Sequence, residues 1–144
     1  MKMNVKRTNP YAILPRYATA GAAGMDLTAC LDEPLTLSPG QRALVPTGIA
    51  IALPPQHVGL IFARSGLAVK QGLTLSNGVG VIDCDYRGEV QVGLIHLGSE
   101  PYTIQPGERI AQLAVMPVVQ VQPVEVEELN GTERGVGGFG STGK

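Results

Sequence analysis

The sequence predicts an all-β fold, either a sandwich or a barrel, with one short helix. The chain of 144 residues suits a single domain, and it contains 19 Gly and 11 Pro, well above average usage. Short apolar runs recur between turn signals such as SPG, PTG and LPP, while apolar residues at helical spacing are almost absent. These observations favour many short strands joined by turns.

Three segments alternate apolar and other residues with the period of a β-strand. Residues 49–53 read IAIAL, residues 89–94 read EVQVGL, and residues 118–128 read VVQVQPVEVEE. Pro123 lies in the third segment, where it favours an edge strand or a strand start, because proline has no N–H to donate. We therefore expect strands in all three segments.

One segment, ARSGLAVKQG, is typical of a helix instead. Ser65 is a good N-cap residue, and Gly72 suits the position just past a helix end, so we expect a helix from about Gly66 to Gln71. Its first N–H groups, with Arg64 beside them, would form a plausible anion site. The alternative is an ordinary capped helical turn.

Composition excludes several classes of function. The net charge of −1 offers no basic excess for a nucleic-acid duplex, and no run reaches the roughly 18 apolar residues that a membrane span needs. The N-terminal MKMNVKRTNP lacks the apolar region of a secretory signal. Cys30 and Cys84 are expected to be free thiols in a reducing cytoplasm. His57 and His96 stand alone, which argues against a histidine zinc site or a Ser-His-Asp triad.

The stretch NGVGVIDCDYRGE (77–89) is the most informative for chemistry. Asn77-Gly78 predicts a tight turn between hairpin arms, and the exposed backbone of such a hairpin could read the edge of a planar base. Asp83 and Asp85 would share one face if extended, and a carboxylate there could act as general base on water. Cys84 would point away and pack. The alternative is a solvated turn.

Two further segments carry charged residues whose roles remain open. In QPGERIAQL, Arg109 is expected either to form a structural ion pair, with Asp85 as one candidate, or to take part in function; Gln112 could equally be a surface residue. In AGAAGMDLTA, Asp26 suits a turn. No group of three carboxylates predicts an all-protein metal cage, so Mg²⁺ held by substrate phosphates and water fits better.

The C-terminal RGVGGFGSTGK predicts a mobile arm, since ordering so many glycines costs entropy. We divide the chain into a core at 1–122 and an extended arm at 123–144. Arg134, Ser141 and Thr142 are typical phosphate-contacting groups, and Phe139 could stack on a base, so the arm could order over a ligand as a lid. The alternative is a disordered solubilising tail.

Taken together, AGMDLTA, ARSG, NGVGVIDCDYRGE, GERIAQL and RGVGGFGSTG resemble the trimeric dUTP pyrophosphatase (dUTPase) family in order and spacing. The resemblance implies a distorted jelly-roll β-barrel assembled as a homotrimer. It implies Mg²⁺-assisted hydrolysis of dUTP to dUMP and pyrophosphate, by in-line attack of water on the α-phosphorus. That reaction keeps uracil out of DNA and supplies dUMP for dTMP synthesis.

The resemblance also implies residue roles. Asp83 matches the general base, and Tyr86 matches the aromatic residue under the deoxyribose that leaves no room for a 2′-hydroxyl. Asp26 matches a position that reaches the metal through water. Each site would combine three subunits: the 77–83 hairpin from one, the Ser65 loop from a second and the arm from the third. Residues matched to uracil are Asn77, Gly80, Val81, Ile82 and Phe139, and residues matched to the phosphates are Arg64, Ser65, Gly66, Gln112, Arg134, Gly140, Ser141 and Thr142.

One departure from the family pattern concerns Ala63, where many members have Pro. The change adds an N–H donor and could loosen the turn before Arg64. Two alternative functions remain. A dCTP deaminase of the same superfamily would release ammonia from dCTP, and a dUTPase-like binding protein would have no activity.

Overall fold

Eleven β-strands and one α-helix occur in residues 1–138, the part of the chain described by our computed structural model. The four longest strands span residues 42–52, 57–63, 89–96 and 109–117, and they provide most of the strand pairing. The elements are β1 (Asn4–Arg7), β2 (Arg16–Tyr17), β3 (Met25–Thr28), β4 (Leu35–Leu37), β5 (Arg42–Ala52), β6 (His57–Ala63), α1 (Ser65–Gln71), β7 (Leu73–Leu75), β8 (Gly80–Ile82), β9 (Glu89–His96), β10 (Tyr102–Ile104) and β11 (Arg109–Pro117).

The strands form three antiparallel sheets. One sheet has the order β1-β5-β9-β7, the second has β2-β3-β11-β6-β8, and β10 pairs with β4 alone. The prediction of an all-β fold with one short helix is confirmed. Within residues 1–138, the strands form these separate sheets rather than one closed cylinder.

The core is built almost entirely from aliphatic side chains, as the low aromatic content predicts. In β9, Val90, Val92 and Leu94 are buried, which confirms the alternation predicted for that segment. The predicted run at 49–53 is buried except for the half-buried Ala52, and it lies in β5 apart from its last residue. Side chains from the two larger sheets and from β4 and β10 belong to a single buried cluster. This cluster fixes the register, because a shift of one residue would turn each apolar set to solvent.

The helix begins at Ser65, and its N-cap residue is Arg64 rather than the predicted Ser65. Arg64 remains extended at the end of β6, while its carbonyl already accepts the first helical bond, from the Ala68 N–H at 2.9 Å. No side chain caps this end. Gly72 ends the helix in the left-handed conformation, as predicted. No helix in the described part of the chain is both long and apolar enough to cross a membrane.

The two strands that flank Asn77-Gly78 do not pair with each other, so the predicted hairpin is wrong in its pairing. β7 pairs with β9, whereas β8 pairs with β6 in the other sheet, and Val79 lies in the turn. The longer β9 and β6 offer each short strand a full set of backbone partners. The turn at 76–79 therefore carries the chain from one sheet to the other.

The strand predicted at 118–128 does not form. β11 ends at Pro117, and residues 118–128 are exposed and lie outside any strand. The Val118 N–H donates to the Gln56 carbonyl at 2.9 Å, but the segment finds no further strand partner among residues 1–138. Val119 and Val121 are therefore left more than four-fifths exposed. An alternating sequence forms a strand only where another strand supplies hydrogen bonds.

The close approach of Gly72 to Gly98 yields a stability prediction. An alanine Cβ at Gly72 would overlap the Gly98 backbone nitrogen, and the left-handed φ of +70° adds strain. Gly40 has a similar φ of +80° with nothing within 4 Å, so it isolates the cost of the backbone conformation. We expect Gly40→Ala to cost about 1 kcal/mol and Gly72→Ala about 3 kcal/mol. Urea unfolding at equal protein concentration measures both, and equal losses would contradict the steric argument.

Candidate active site

A pocket of about 300 Å³ opens where β8 and the start of β9 approach β5 and β6. It contains all six of the described residues that the sequence predicted for the general base, the uracil and the deoxyribose. The lining residues are Leu44, Ile61, Asn77, Gly80, Val81, Ile82, Asp83, Tyr86, Glu89, Val90 and Gln91.

The backbone of β8 forms one wall of this pocket and has a free edge. β8 is the terminal strand of its sheet and pairs only with β6, where Gly80 lies opposite Ile61 and Ile82 opposite Gly59. Its other edge therefore keeps backbone N–H and C=O groups without a strand partner. The contact with β6 is tight, since a Cβ on Gly80 would lie 3.0 Å from the Ile61 Cβ. The turn before β8 has Gly78 at φ +72°.

Asp83 follows β8 directly and places an exposed carboxylate at the pocket. Within residues 1–138, this carboxylate has neither a hydrogen bond nor an ion pair. The chain turns immediately after it, and the Tyr86 N–H donates to the Asp83 carbonyl at 3.2 Å. Asp83 and Asp85 therefore do not share one face of an extended segment, and Asp85 does not line the pocket. Cys84 is half-buried and packs against the core, as predicted.

The Tyr86 ring is held by the residues that follow it. Its hydroxyl donates to the Glu89 carbonyl at 3.1 Å, and the ring passes so close to Gly88 that any Cβ there would overlap it. Arg87 donates to the carbonyls of Cys84 and Tyr86, at 2.8 Å each, and so stabilises the turn. The orientation of the ring thus follows from the sequence YRGE.

A second cluster of predicted residues centres on Asp26, which is only 7% exposed and lies within β3, so the turn expected at this residue is wrong. The Arg109 Nη1 donates to Asp26 Oδ2 at 3.1 Å, and the Arg64 Nε lies 3.8 Å from Asp26 Oδ1. The ion-pair partner of Arg109 is therefore Asp26 rather than Asp85, because β11 pairs with β3 and brings these residues together. Arg64 also donates to the Arg109 carbonyl at 2.8 Å.

The remaining phosphate candidates border this cluster. Gln112 lies opposite Asp26 in the β3–β11 register, and it packs so closely on Gly24 that a Cβ there would lie 3.2 Å from its own Cβ. Ser65 and Gly66 are exposed in the first turn of α1, next to Arg64. The two arginines neutralise the buried carboxylate and leave one net positive charge for an anion.

Tyr102 and Glu108, which the sequence analysis did not select, support this cluster. The Tyr102 hydroxyl donates to Glu108 Oε1, and the Gln105 N–H donates to Glu108 Oε2 at 2.9 Å, so Glu108 closes the Pro-Gly turn before Arg109. Burial, the hydrogen bond to Glu108 and its negative charge raise the pKa of Tyr102 to about 12, although Arg64 acts in the opposite direction. The sequence QPGE at 105–108 could have indicated this role, because a glutamate at the end of a Pro-Gly turn can accept from the first N–H of the turn.

Asp83 and Arg64 follow opposite ends of β6 within one chain, whereas Gly80 of the same pocket lies opposite Ile61, nearer the Arg64 end. β8 runs antiparallel to β6, so Asp83 follows at the Gly59 end, whereas Arg64 follows at the Ala63 end. Gly59 and Arg64 are five residues apart, or about 16 Å along an extended strand.

The arm residue Arg134 belongs to neither cluster in this structure. Its Nε donates to the Gly137 carbonyl at 2.9 Å, within a series of turns that also includes a bond from Gly135 N–H to Thr132. Phe139, Gly140, Ser141 and Thr142, which were predicted to contact uracil or the phosphates, lie outside the described residues.

Carboxylates and thiols do not gather into a metal cage. Among residues 1–138, no three His, Cys, Asp or Glu side chains are placed to hold an ion together. Asp26 Oδ1 and Oδ2 both face arginines. Cys30 and Cys84 are free, and burial, with the charges of Glu89 and Asp32, raises the pKa of the Cys30 thiol.

Comparison with known proteins settles the family. The family model described as dUTPase matches residues 10–143, nearly the whole chain. The chain belongs to the dUTPase family. The resemblance drawn from the five sequence segments is thereby confirmed, and so is the β-rich dUTPase fold with its single short helix.

Individual dUTPases support this assignment. A deoxyuridine 5'-triphosphate nucleotidohydrolase from Desulfitobacterium hafniense is 57% identical over 131 residues, which cover 90% of this chain and 87% of that protein. A protein of the same name from an Anaeromyxobacter species is 54% identical over 140 residues, covering 97% and 94%. The solved dUTPase of Staphylococcus bacteriophage 80alpha, with dUPNHPP, superposes with a TM-score of 0.91 at 28% identity and covers 99% of both chains.

The raised pKa of Tyr102 predicts a loss of stability at high pH. The unfolded tyrosine loses its proton near pH 10 and the folded one near 12, so the folded state binds more protons in between. This contribution to stability is complete below pH 10 and is lost as the pH rises through 12. We expect the difference in urea midpoint between wild type and Tyr102→Phe to shrink steadily from pH 9.5 to 11.5. The exposed Tyr11→Phe serves as the control, and a difference that stays constant with pH would contradict the assignment.

Proposed function

We propose that this chain hydrolyses dUTP to dUMP and pyrophosphate. The observation that carries the proposal is the unengaged Asp83 carboxylate, which lines a pocket beside the free backbone edge of β8. Membership of the dUTPase family supports the same reaction.

Asp83 acts as the general base in this proposal. It orients a water molecule, accepts one of its protons and so directs the oxygen at the α-phosphorus in line with the leaving pyrophosphate. Glu89 is the other carboxylate of the pocket, but both of its oxygens already accept hydrogen bonds, from Gly48 N–H and from the Thr8 hydroxyl. Asp83 has no such bonds among the described residues, so both of its oxygens are free to contact a water molecule.

The free edge of β8, together with Asn77, reads the uracil. Uracil and cytosine differ in donors and acceptors at the pairing edge, so a rigid backbone matched to one leaves buried polar groups unpaired with the other. β8 is rigid because Gly80 packs directly on Ile61 of its neighbouring strand. A thymine methyl group would be rejected if β8 packs closely against the base.

Tyr86 selects the sugar. The ring is fixed by its hydroxyl bond to the Glu89 carbonyl and by its contact with Gly88. A deoxyribose resting on the ring fits without a 2′-hydroxyl, and a ribose would clash. Phe139 of the arm would cover the opposite face of the uracil.

Arg64, Ser65, Gly66 and Gln112 bind the phosphates in this proposal. Arg64 and Arg109 share the single charge of Asp26, so the cluster remains cationic and attracts the triphosphate. The hydroxyl of Ser65 and the exposed N–H groups at the start of α1 add donors. Arg134, Gly140, Ser141 and Thr142 would complete the set from the arm, in keeping with a core at 1–122 and an arm at 123–144.

Members of the family are in general metal-dependent hydrolases, and we propose Mg²⁺ as the ion. The described residues fit an ion held mainly by phosphate oxygens and water, because no three-residue cage exists among them and Asp26 is engaged by arginines. Asp26 would reach such an ion only through a water molecule. When bound, Mg²⁺ would neutralise charge on the phosphates.

We propose that the active unit is a homotrimer with shared sites. The base Asp83 and the phosphate candidate Arg64 are roughly 16 Å apart along the backbone of β6, which favours a site that takes them from different copies of the chain. In a trimer, the β8 pocket of one subunit can face the Arg64 cluster of the next. The outer face of the β6–β11 pair supplies apolar surface for assembly, because Leu60, Phe62 and Met116 lie on it and the latter two are 38% and 48% exposed.

The first test compares pyrophosphate release from dUTP, dCTP, dTTP and UTP with Mg²⁺, and again with EDTA. We expect release from dUTP alone, and only with the metal. Asp83→Asn should lower kcat at least about 100-fold, because the base is lost. The same variant should still bind dUPNHPP, and the neighbouring Asp85→Asn is the matched control with near-normal turnover. Ammonia release from dCTP, or normal turnover by Asp83→Asn, would contradict the proposal.

Mixing two inactive variants tests the shared sites. Asp83→Asn and Arg64→Gln subunits, carrying different tags and assembled together, should recover up to about a quarter of the wild-type sites, because some sites then combine two intact halves. Each variant assembled alone should stay inactive. Mixing Asp83→Asn subunits with a chain truncated after Glu133, instead of with Arg64→Gln, tests in the same way whether the arm comes from another subunit. A mixture that forms trimers but shows no activity would mean that each site is built within one chain.

A further inference from the structure

Glu89 connects three parts of the molecule that meet at the pocket. Its Oε1 accepts from the Gly48 N–H and its Oε2 from the Thr8 hydroxyl, at 3.0 Å each. Its backbone carbonyl accepts from the Tyr86 hydroxyl at 3.1 Å. One residue therefore joins the end of β1, the irregular part of β5 and the aromatic ring in the pocket.

The anchor at Gly48 lies where the pairing of β5 with β9 is interrupted. The register shifts between Pro46 and Ala50, and Gly48 has a φ of +68° in this interval. Its N–H points at Glu89 instead of a strand partner, and its carbonyl accepts the Thr8 and Asn9 N–H groups at 2.8 and 3.2 Å. Gly48 is buried, so its N–H needs this acceptor.

These bonds determine where β9 begins. Because the Glu89 side chain is fixed at both oxygens, its carbonyl is held in a defined place relative to β5. Tyr86 can bond to that carbonyl only by folding back over Gly88, which must lack a Cβ. The position of the ring therefore depends on the side-chain bonds of Glu89.

We propose that Glu89 is a positioning residue that sets the Tyr86 ring and thereby the preference for deoxyribose over ribose. It does not exchange protons with substrate, since its two oxygens are occupied by donors from Thr8 and Gly48. This inference rests on the proposed function, and it assigns sugar selection to a carboxylate that acts through another residue.

The test measures kcat/KM for dUTP and UTP in wild type, Glu89→Ala and Glu89→Gln. Glu89→Ala should lower the dUTP-to-UTP ratio about tenfold, mainly through the KM for dUTP. Glu89→Gln should keep the ratio within about twofold, because the amide can accept from Gly48 and donate to Thr8. A large loss of kcat in Glu89→Gln would instead mean direct participation and would overturn the inference.

Two further comparisons separate positioning from general destabilisation. Thr8→Val removes one donor to Glu89 and should lower the ratio, whereas Thr36→Val, which removes the Thr36–Thr103 bond at 2.8 Å far from the pocket, should leave it unchanged. Tyr86→Phe should lower the ratio by itself, and adding Glu89→Ala should lower it no further, because both act through one bond.

The outcomes distinguish the two proposals. If the wild-type protein does not hydrolyse dUTP, the proposed function itself is overturned. If the wild type is active but the dUTP-to-UTP ratio is unchanged in Thr8→Val and in any folded Glu89→Ala protein, only the role of Glu89 is overturned. If Glu89→Ala does not fold, Thr8→Val still decides the question, measured alone and in the Tyr86→Phe background, where it should lower the ratio no further.

Discussion

The antiparallel pairing of β6 with both β8 and β11 is the constraint on which the site depends. Along one edge, β6 fixes β8, so that the free side of β8 and the following Asp83 form the pocket. Along the other edge, β6 fixes β11, and β11 in turn brings Arg109 to Asp26 on β3. One strand therefore positions both chemical clusters, with Asp83 after β8 at one end and Arg64 after β6 at the other. The proposed trimer would combine these residues from different copies of the chain.

The carboxylates near the site divide into those that hold the structure together and those without a partner among the described residues. Asp26, Glu89 and Glu108 each have both oxygens facing donors or cations, so each holds a piece of backbone or a pair of arginines in place. Asp83 has no partner in the described chain, although its exposed position alone would not distinguish it from Asp85. A carboxylate whose oxygens already accept hydrogen bonds from the protein has fewer lone pairs left for a water molecule. The lack of partners separates Asp83 from the three structural carboxylates, and its place in the pocket separates it from Asp85.

The sequence predicted local features well and pairing partners poorly. The alternation in β9, the left-handed Gly72 and the turn at Gly78 depend on residues close in the chain, and each is confirmed. The β7–β8 hairpin and the strand at 118–128 were wrong because a strand needs a partner, and spacing does not show which strands meet. The partner of Arg109 was missed for the same reason, since Asp26 is distant in sequence and becomes adjacent only through β3 and β11. Tyr102 and Glu89 carry no signal that separates them from surface residues until their hydrogen bonds are known.

Most of the lining of the pocket was nevertheless predicted, and the reason is physical. Asn77 to Tyr86 form one short continuous stretch. The turn, the free edge of β8 and the position of the Asp83 carboxylate therefore follow from neighbouring residues, with little dependence on the rest of the fold. The residues that position this stretch are remote in sequence, at Thr8, Gly48 and Ile61. Selectivity for the sugar should therefore depend on distant anchors even where the contacting residues stay the same. Under the proposal for Glu89, a change at one of these anchors would alter the sugar preference while Tyr86 itself stays the same.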